Sequence, residues 1–250
     1  MLRHVVDVAE QAGIPVYLAY GSALGAVREG GFIPWDSDAD VHVFVDDVRR
    51  LDDALRARPG RFHVLSPYRD ESYEHLFLRL AEPGIDYNYL HVDLFPLAHA
   101  PESDGRLLLL RAATRSLGWV YRARNNRLAS KDYSRSRAVA ARAASAVLGA
   151  VPRGAYLRSF DALTSGRRES TRLFPPLGCY GSRELFQAAW FTEPSTLRLD
   201  GVELPGPTRP HEYLRTVYGD YEQPVSPEQQ RRELMAFETH MLPRLNQAVS

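Results

Sequence analysis

The sequence predicts a mixed α/β domain, a sheet flanked by helices with a helical arm inserted into it. Three observations carry that expectation. Short β-branched and aromatic runs, such as Val16-Tyr17-Leu18-Ala19-Tyr20 and Val41-His42-Val43-Phe44-Val45, alternate with amphipathic segments over the first hundred residues. The stretch Leu107–Arg168 is rich in Ala, Leu and Arg, with breaks near Lys131–Ser134 and at Val151-Pro152-Arg153-Gly154. At 250 residues and 44% hydrophobic content, the chain can fill the core of one large domain and an appendage.

Taken in order, residues 1–13 suit an amphipathic helix closed by Gly13. Val16–Tyr20 reads as a strand and Ala23–Arg28 as the first turns of a helix, with Ser22 as its N-cap and Gly21 in a tight or positive-φ turn. A buried strand at 41–45 is followed by a helix over Asp47–Arg58, then strands at Phe62–Leu65, His75–Ala81 and Tyr89–Phe95. Two or three helices fill Leu107–Arg168. The Pro- and Gly-containing stretch Leu173–Pro210 reads as irregular, and helices near His211–Val217 and Pro227–Asn246 close the chain. The expected division is a catalytic-type core at 1–102, a basic helical arm at 103–172, and C-terminal loop and helices at 173–250 that pack on the core.

Composition removes several classes of function. No run approaches eighteen apolar residues and the N-terminus lacks an apolar signal core, so a cytoplasmic protein without a membrane span is expected. A single cysteine, Cys179, excludes an internal disulfide and a cysteine-based zinc site. Formal net charge is zero, yet residues 103–172 carry fifteen Arg and Lys against four acids. Such a wall steers anions. A nucleic-acid module built on that arm is the reading from another class, but overall neutrality and the lack of an aromatic-basic RNA motif argue against it, so no nucleic acid is expected. No pattern fixes an oligomeric state.

The most informative segment runs from Tyr20-Gly21-Ser22-Ala23-Leu24-Gly25-Ala26-Val27-Arg28 to Ile33-Pro34-Trp35-Asp36-Ser37-Asp38-Ala39-Asp40. Side chains two apart on a strand share a face, so Asp36, Asp38 and Asp40 would line one side of an extended segment. Carboxylates that close repel one another unless a cation sits among them. Hard oxygen donors of this kind suit Mg²⁺ or Mn²⁺, with substrate phosphates completing the shell. Ahead of the acids, the Gly21-Ser22 turn and a helix start offer amides to a phosphate, and Arg28 offers a bidentate guanidinium or else pairs with Glu29. Trp35 is expected to wedge the acidic loop, with base or substrate stacking as the alternative. Asp93, in His91-Val92-Asp93-Leu94-Phe95-Pro96, is the third carboxylate, able to join the metal shell and to accept a proton, with His91 on the same face as a candidate substrate or phosphate contact or else a structural histidine. In the arm, Arg122, Arg124, Asn125, Asn126 and Arg127 beside Tyr121 form a polar cluster that could dock an anion.

Tyr-Gly-Ser-x-Leu-Gly-x-x-Arg, then Gly-Phe-Ile-Pro-Trp-Asp-x-Asp-x-Asp, Val92-Asp93-Leu94-Phe95-Pro96-Leu97, and Pro210-His211-Glu212-Tyr213-Leu214-Arg215-Thr216-Val217-Tyr218-Gly219-Asp220-Tyr221 together resemble the LicD / fukutin-related family of nucleotidyltransferase-fold phosphotransferases. Ser37 and Ala39 depart from the usual acid and larger aliphatic of that pattern. The resemblance implies a nucleotidyltransferase-like fold and metal-dependent transfer of a phospho-alcohol, such as phosphocholine or a polyol phosphate. The donor would be CDP-activated, CDP-choline for example, and the acceptor a hydroxyl of a saccharide or small molecule. The alternative keeps the site and moves NMP from CTP or ATP to a small acceptor, releasing pyrophosphate. Loops at Pro67–Tyr73, Ala98–Arg106 and Leu173–Ser182 are the candidate acceptor walls.

Overall fold

The computed structural model describes residues 1–36, 38–84, 90–125, 147–166, 169–223 and 226–240. Helix α1 (Leu2–Gln11) buries Val5, Val6 and Ala9, and α3 (Val48–Ala57) buries Val48, Leu51 and Leu55. Those spacings put the apolar residues of each helix on one stripe, and the two helices pack on each other beside the sheet. Strand β1 (Val16–Leu18) pairs antiparallel with β2 (Asp38–Phe44), which runs parallel to β5 (His91–His99). On the far side of β5 lie β4 (Leu78–Ala81) and β3 (His63–Leu65), both antiparallel, giving the order β1-β2-β5-β4-β3. Helices flank this mixed sheet, as the sequence predicts.

Strand β5 is the middle of the structure. It has a neighbour on each edge, and every residue from His91 to Ala98 is buried. A strand covered on both faces normally carries only apolar side chains. Asp93 and His91 within it therefore need partners, and they lie where β2 and β4 supply them.

The C-terminal part is more ordered than the sequence suggests. Instead of an irregular Leu173–Pro210, β6 (Arg172–Phe174) extends the sheet from the end of β5, and β7 (Phe186–Gln187) pairs with β6. Strands β8 (Ser195–Leu199) and β9 (Val202–Gly206) form a hairpin around Asp200-Gly201, both at positive φ (47° and 78°). Asp-Gly between alternating residues is a strong hairpin signal that the count of prolines and glycines obscures. Helix α6 (Pro210–Tyr218) buries Tyr213, Leu214 and Val217 in the main core. Within the arm, α4 (Asp104–Arg124) and α5 (Arg153–Thr164) meet through Tyr121, Tyr156, Leu157 and Phe160. Asn126, Arg127, the break at Lys131–Ser134 and the end of the last expected helix lie outside the described residues; α7 spans Pro227–His240. No helix among the described residues is long and apolar enough to cross a membrane.

Two histidines are enclosed by this packing. Burial pushes the His42 imidazole down to about 3, while its Nε2 lies 3.1 Å from the Tyr213 hydroxyl. His75 is lowered to about 3 by burial and then by the Arg79 and Arg122 charges. An unfolded histidine takes its proton near 6.5, so the unfolded state binds protons first as pH falls. The stability these groups contribute is complete above pH 6.5 and is lost on descending towards pH 3, at about 1.4 kcal/mol per histidine per pH unit. Both imidazoles should stay neutral at pH 5 in side-chain NMR titrations. Protonation of either near 6.5 in the folded protein would contradict this packing.

Candidate active site

The acids gather where β2 and β5 run side by side. The parallel register sets Asp40 opposite Asp93 and Asp38 opposite His91. The strand begins at Asp38, so Asp36 lies before it in a turn held by its N–H to the Ile33 carbonyl (2.9 Å). The expected single extended face of three aspartates is therefore two strand residues and one loop residue. Asp36 still reaches the site because Gly21 has no side chain: a Cβ there would stand 2.2 Å from Asp36 Oδ2. Gly21→Ala is expected to push Asp36 out of place, with little loss of fold because the clash falls on a side-chain tip, and to lower turnover by about tenfold. Unchanged turnover, with a melting curve like the parent's, would show that Asp36 is dispensable.

The turn before the acids also differs from the expected capped helix start. Helix α2 begins at Tyr20 and runs to Leu24, continuing as a π-helical turn over Gly25–Glu29. Ser22 therefore lies inside the helix rather than capping it. It is buried, and its Oγ accepts the Asp40 N–H at 2.9 Å, tying α2 to β2. Positive φ falls on Tyr20 (43°), not on Gly21. A non-glycine residue holds that conformation only where its surroundings over-determine it. Tyr20 qualifies: its N–H donates to the Tyr213 hydroxyl, its own hydroxyl donates to Glu184 Oε1 (2.5 Å), and its ring meets His42 and Phe95 edge-on.

Asp93 is clamped. Arg79 on β4 donates from Nε to Oδ1 (2.6 Å) and from Nη2 to Oδ2 (2.8 Å). His91 Nε2 lies 3.4 Å from Asp38 Oδ2 and 3.6 Å from Asp93 Oδ2, between the two carboxylates. Burial alone would raise Asp93; the His91 and Arg79 contacts outweigh it and hold the carboxyl below its ordinary range. Asp38 is lowered chiefly by His91. Asp40 goes the other way. Its depth in the pocket, then the charges of Asp38, Asp93 and Asp36, push its carboxyl well above the usual range.

That uncompensated charge is the test of whether a divalent cation fits. Among the described residues no three His, Cys, Asp or Glu side chains stand as a ready coordination shell. The donor chemistry nevertheless fits. Hard carboxylate oxygens crowd round Asp40, and a cation would remove the repulsion that now loads protons onto it.

A cavity of about 470 Å³ opens over these groups, lined by Gly21, Trp35, Asp36, Asp38, Asp40, Asp93, Phe95, Cys179, Tyr180 and Tyr218 among others. Trp35 is on its wall. Arg28 is not: its Nε donates to Glu29 (2.6 Å) and its Nη1 to the Tyr221 carbonyl (3.2 Å), the ion-pair alternative. In the arm cluster, Asn125 Nδ2 donates to the Tyr73 carbonyl and Arg122 lies against His75. Arg79, Glu184 and Tyr218 were not legible as site residues, and Tyr180 only as part of the loop Leu173–Ser182 named as a candidate acceptor wall. Of the first three only Arg79 left a trace, as an arginine inside the apolar run Leu76-Phe77-Leu78-Arg79-Leu80.

A family model described as LicD/FKTN/FKRP, nucleotidyltransferase domain, matches residues 13–112, the segment that supplies every acid of this pocket. The chain carries a LicD/fukutin-related domain. Over 95 residues it is 37% identical to Ribitol 5-phosphate transferase FKRP of Mus musculus and, equally, of Homo sapiens, covering 38% of this chain and 19% of each relative. Over 82 residues it is 32% identical to Lipopolysaccharide cholinephosphotransferase LicD of Haemophilus influenzae, covering 33% of this chain and 26% of that relative. The chain thus spans about a fifth to a quarter of the length of these relatives. The LicD domain ends within α4, so the rest of α4 and the walls contributed by Cys179, Tyr180 and Tyr218 lie outside the matched segment.

Proposed function

We propose that this pocket transfers a phospho-alcohol, such as phosphocholine or a polyol phosphate, from a CDP-activated donor to a hydroxyl of a saccharide or small-molecule acceptor. The observation that carries the reading is the paired register of Asp40 and Asp93 on parallel neighbours, with Asp38 and Asp36 beside them in one open cavity. Two relatives named for the transfer of different phospho-alcohols, ribitol 5-phosphate and choline phosphate, support the class.

Mg²⁺ or Mn²⁺ would be held by Asp38 and Asp40, with Asp36 and Asp93 at its edge. When bound it would neutralise charge on the diphosphate and leaving nucleotide. The protein's own part is positioning. Ser22 fixes the backbone at Asp40, Gly21 admits Asp36, and Trp35 closes the loop side of the cavity. His91, between Asp38 and Asp93, keeps both carboxylates ionised. A carboxylate bonded through both oxygens to one guanidinium is a weak base, so Asp93 supplies fixed charge at the edge of the acid cluster.

Incubation with CDP-choline, CDP-ribitol, CTP or ATP, each with Mg²⁺ and a panel of sugar acceptors, tests the reading through the small product. CMP from a CDP-alcohol supports it. Pyrophosphate from CTP or ATP would replace it with nucleotidyl transfer, consistent with the name of the matched domain, and neither product would end it.

A further inference from the structure

A second cavity, of about 310 Å³, adjoins the carboxylate pocket, and Cys179 stands on the wall of both. Its α4 wall presents Arg115, Gly118, Trp119 and Arg122, at i, i+3, i+4 and i+7, a single helix face. The opposite wall is Glu74–Phe77, which leads into β4, and Leu177–Cys179. Gly118 permits this closeness, since a Cβ there would meet Leu177 Cδ2 at 3.2 Å.

The chemistry of the pocket is that of an anion site. Arg115 makes no hydrogen bond or ion pair with any described residue. Arg122 points Nη2 at His75 Nδ1 (3.1 Å), and that imidazole carries no opposing or competing charge, being held neutral by its burial. Glu74 also lines the cavity, but it lies in the field of Arg79. Trp119 is 61% exposed at the rim, an open position for an indole. Two guanidiniums and one aromatic face recognise a phosphate attached to a ring or polyol.

Position decides which substrate. Helix α2, with Gly21, borders the acids from the β2 side, whereas this cavity lies beyond Phe77 and Phe95, whose tilted rings are 4.8 Å apart, on the β4 side. The acids belong to the matched domain; Arg115, Trp119 and Arg122 lie past residue 112. In the transfer reading the donor's diphosphate belongs on the acids, which leaves the adjoining pocket, outside the matched domain, to the other reactant. We propose that this pocket is the acceptor subsite and takes a phosphorylated sugar or polyol, an inference that rests on the transfer reading of the carboxylate pocket.

Tryptophan fluorescence of the full chain tests it without turnover or metal. Glucose 6-phosphate is expected to quench the signal, with glucose inert, and Trp119→Phe should abolish the response. Arg115→Ala, a change at an exposed and unpaired side chain, should weaken binding by about tenfold or more, while Asp40→Asn should leave it unchanged. CMP binding that depends on Arg115, with no response to glucose 6-phosphate, would assign the pocket to the nucleotide and overturn the proposal. So would the absence of any response at millimolar sugar phosphate. Phosphate binding here without CMP release from any CDP-alcohol would sink the transfer reading and leave an anion site. CMP release without phosphate binding would do the reverse.

Discussion

Asp40→Asn is expected to reduce transfer by about a thousandfold or more and to melt at a higher temperature than the parent. Both effects come from one feature. Asp40 is surrounded by Asp38, Asp93 and Asp36, and its carboxyl is driven towards the protonated form by its depth and by their charges. At neutral pH an ionised Asp40 therefore opposes folding. The amide keeps the shape, removes the charge, and should raise stability by about 0.5–2 kcal/mol. The same charge is what a cation and a diphosphate would use, so its loss removes function. Thermal unfolding and CMP release measured on one preparation check the pair of effects. A variant that melts several degrees lower would show that Asp40 is held for structure; one that retains turnover would remove it from the site.

How much of this could be read from the chain follows from the range of the interactions. Asp38 and Asp40 were legible because alternation is local to a strand, and β2 begins at Asp38. Asp93 was legible from its position inside an apolar strand, where an acid without a use is costly. The register that sets Asp93 opposite Asp40 joins residues fifty-three apart, and nothing local encodes it. The Gly21-Ser22 turn was found for a partly wrong reason. The sequence suggested a cap and a flexible glycine, whereas Ser22 braces Asp40 and Gly21 makes room for Asp36. Each is a contact across more than a dozen residues. Tyr20, at positive φ, gave no signal at all, because the groups that hold it there, Glu184 and Tyr213, come from the far end of the chain. The Asp200-Gly201 hairpin was legible and passed over, since local turn chemistry was outweighed by a regional count of Pro and Gly.

Arg79 is the residue whose loss should harm the fold most. It is 6% exposed, reaches Asp93 with two hydrogen bonds, and pairs with it across β4 and β5. Arg79→Met keeps the apolar stem but leaves Asp93 buried beside Asp40 and Asp38 with only His91 to answer it. Removing one partner of a buried pair costs about 3–5 kcal/mol, mostly the penalty of the stranded charge. Arg79→Met/Asp93→Leu removes that charge, and replacing a buried pair by apolar groups is often near neutral. The double variant should therefore unfold in urea close to the parent midpoint, while the single variant unfolds far below it. Activity separates the roles further. If Asp93 serves only to neutralise Arg79, the double variant keeps turnover along with its fold. If Arg79 instead holds Asp93 ionised at the edge of the acid cluster, the double variant is stable and inert. A buried ion pair is a poor stabiliser against a hydrophobic alternative, and its presence in the central strand is explained by the chemistry next to it rather than by the fold it sits in.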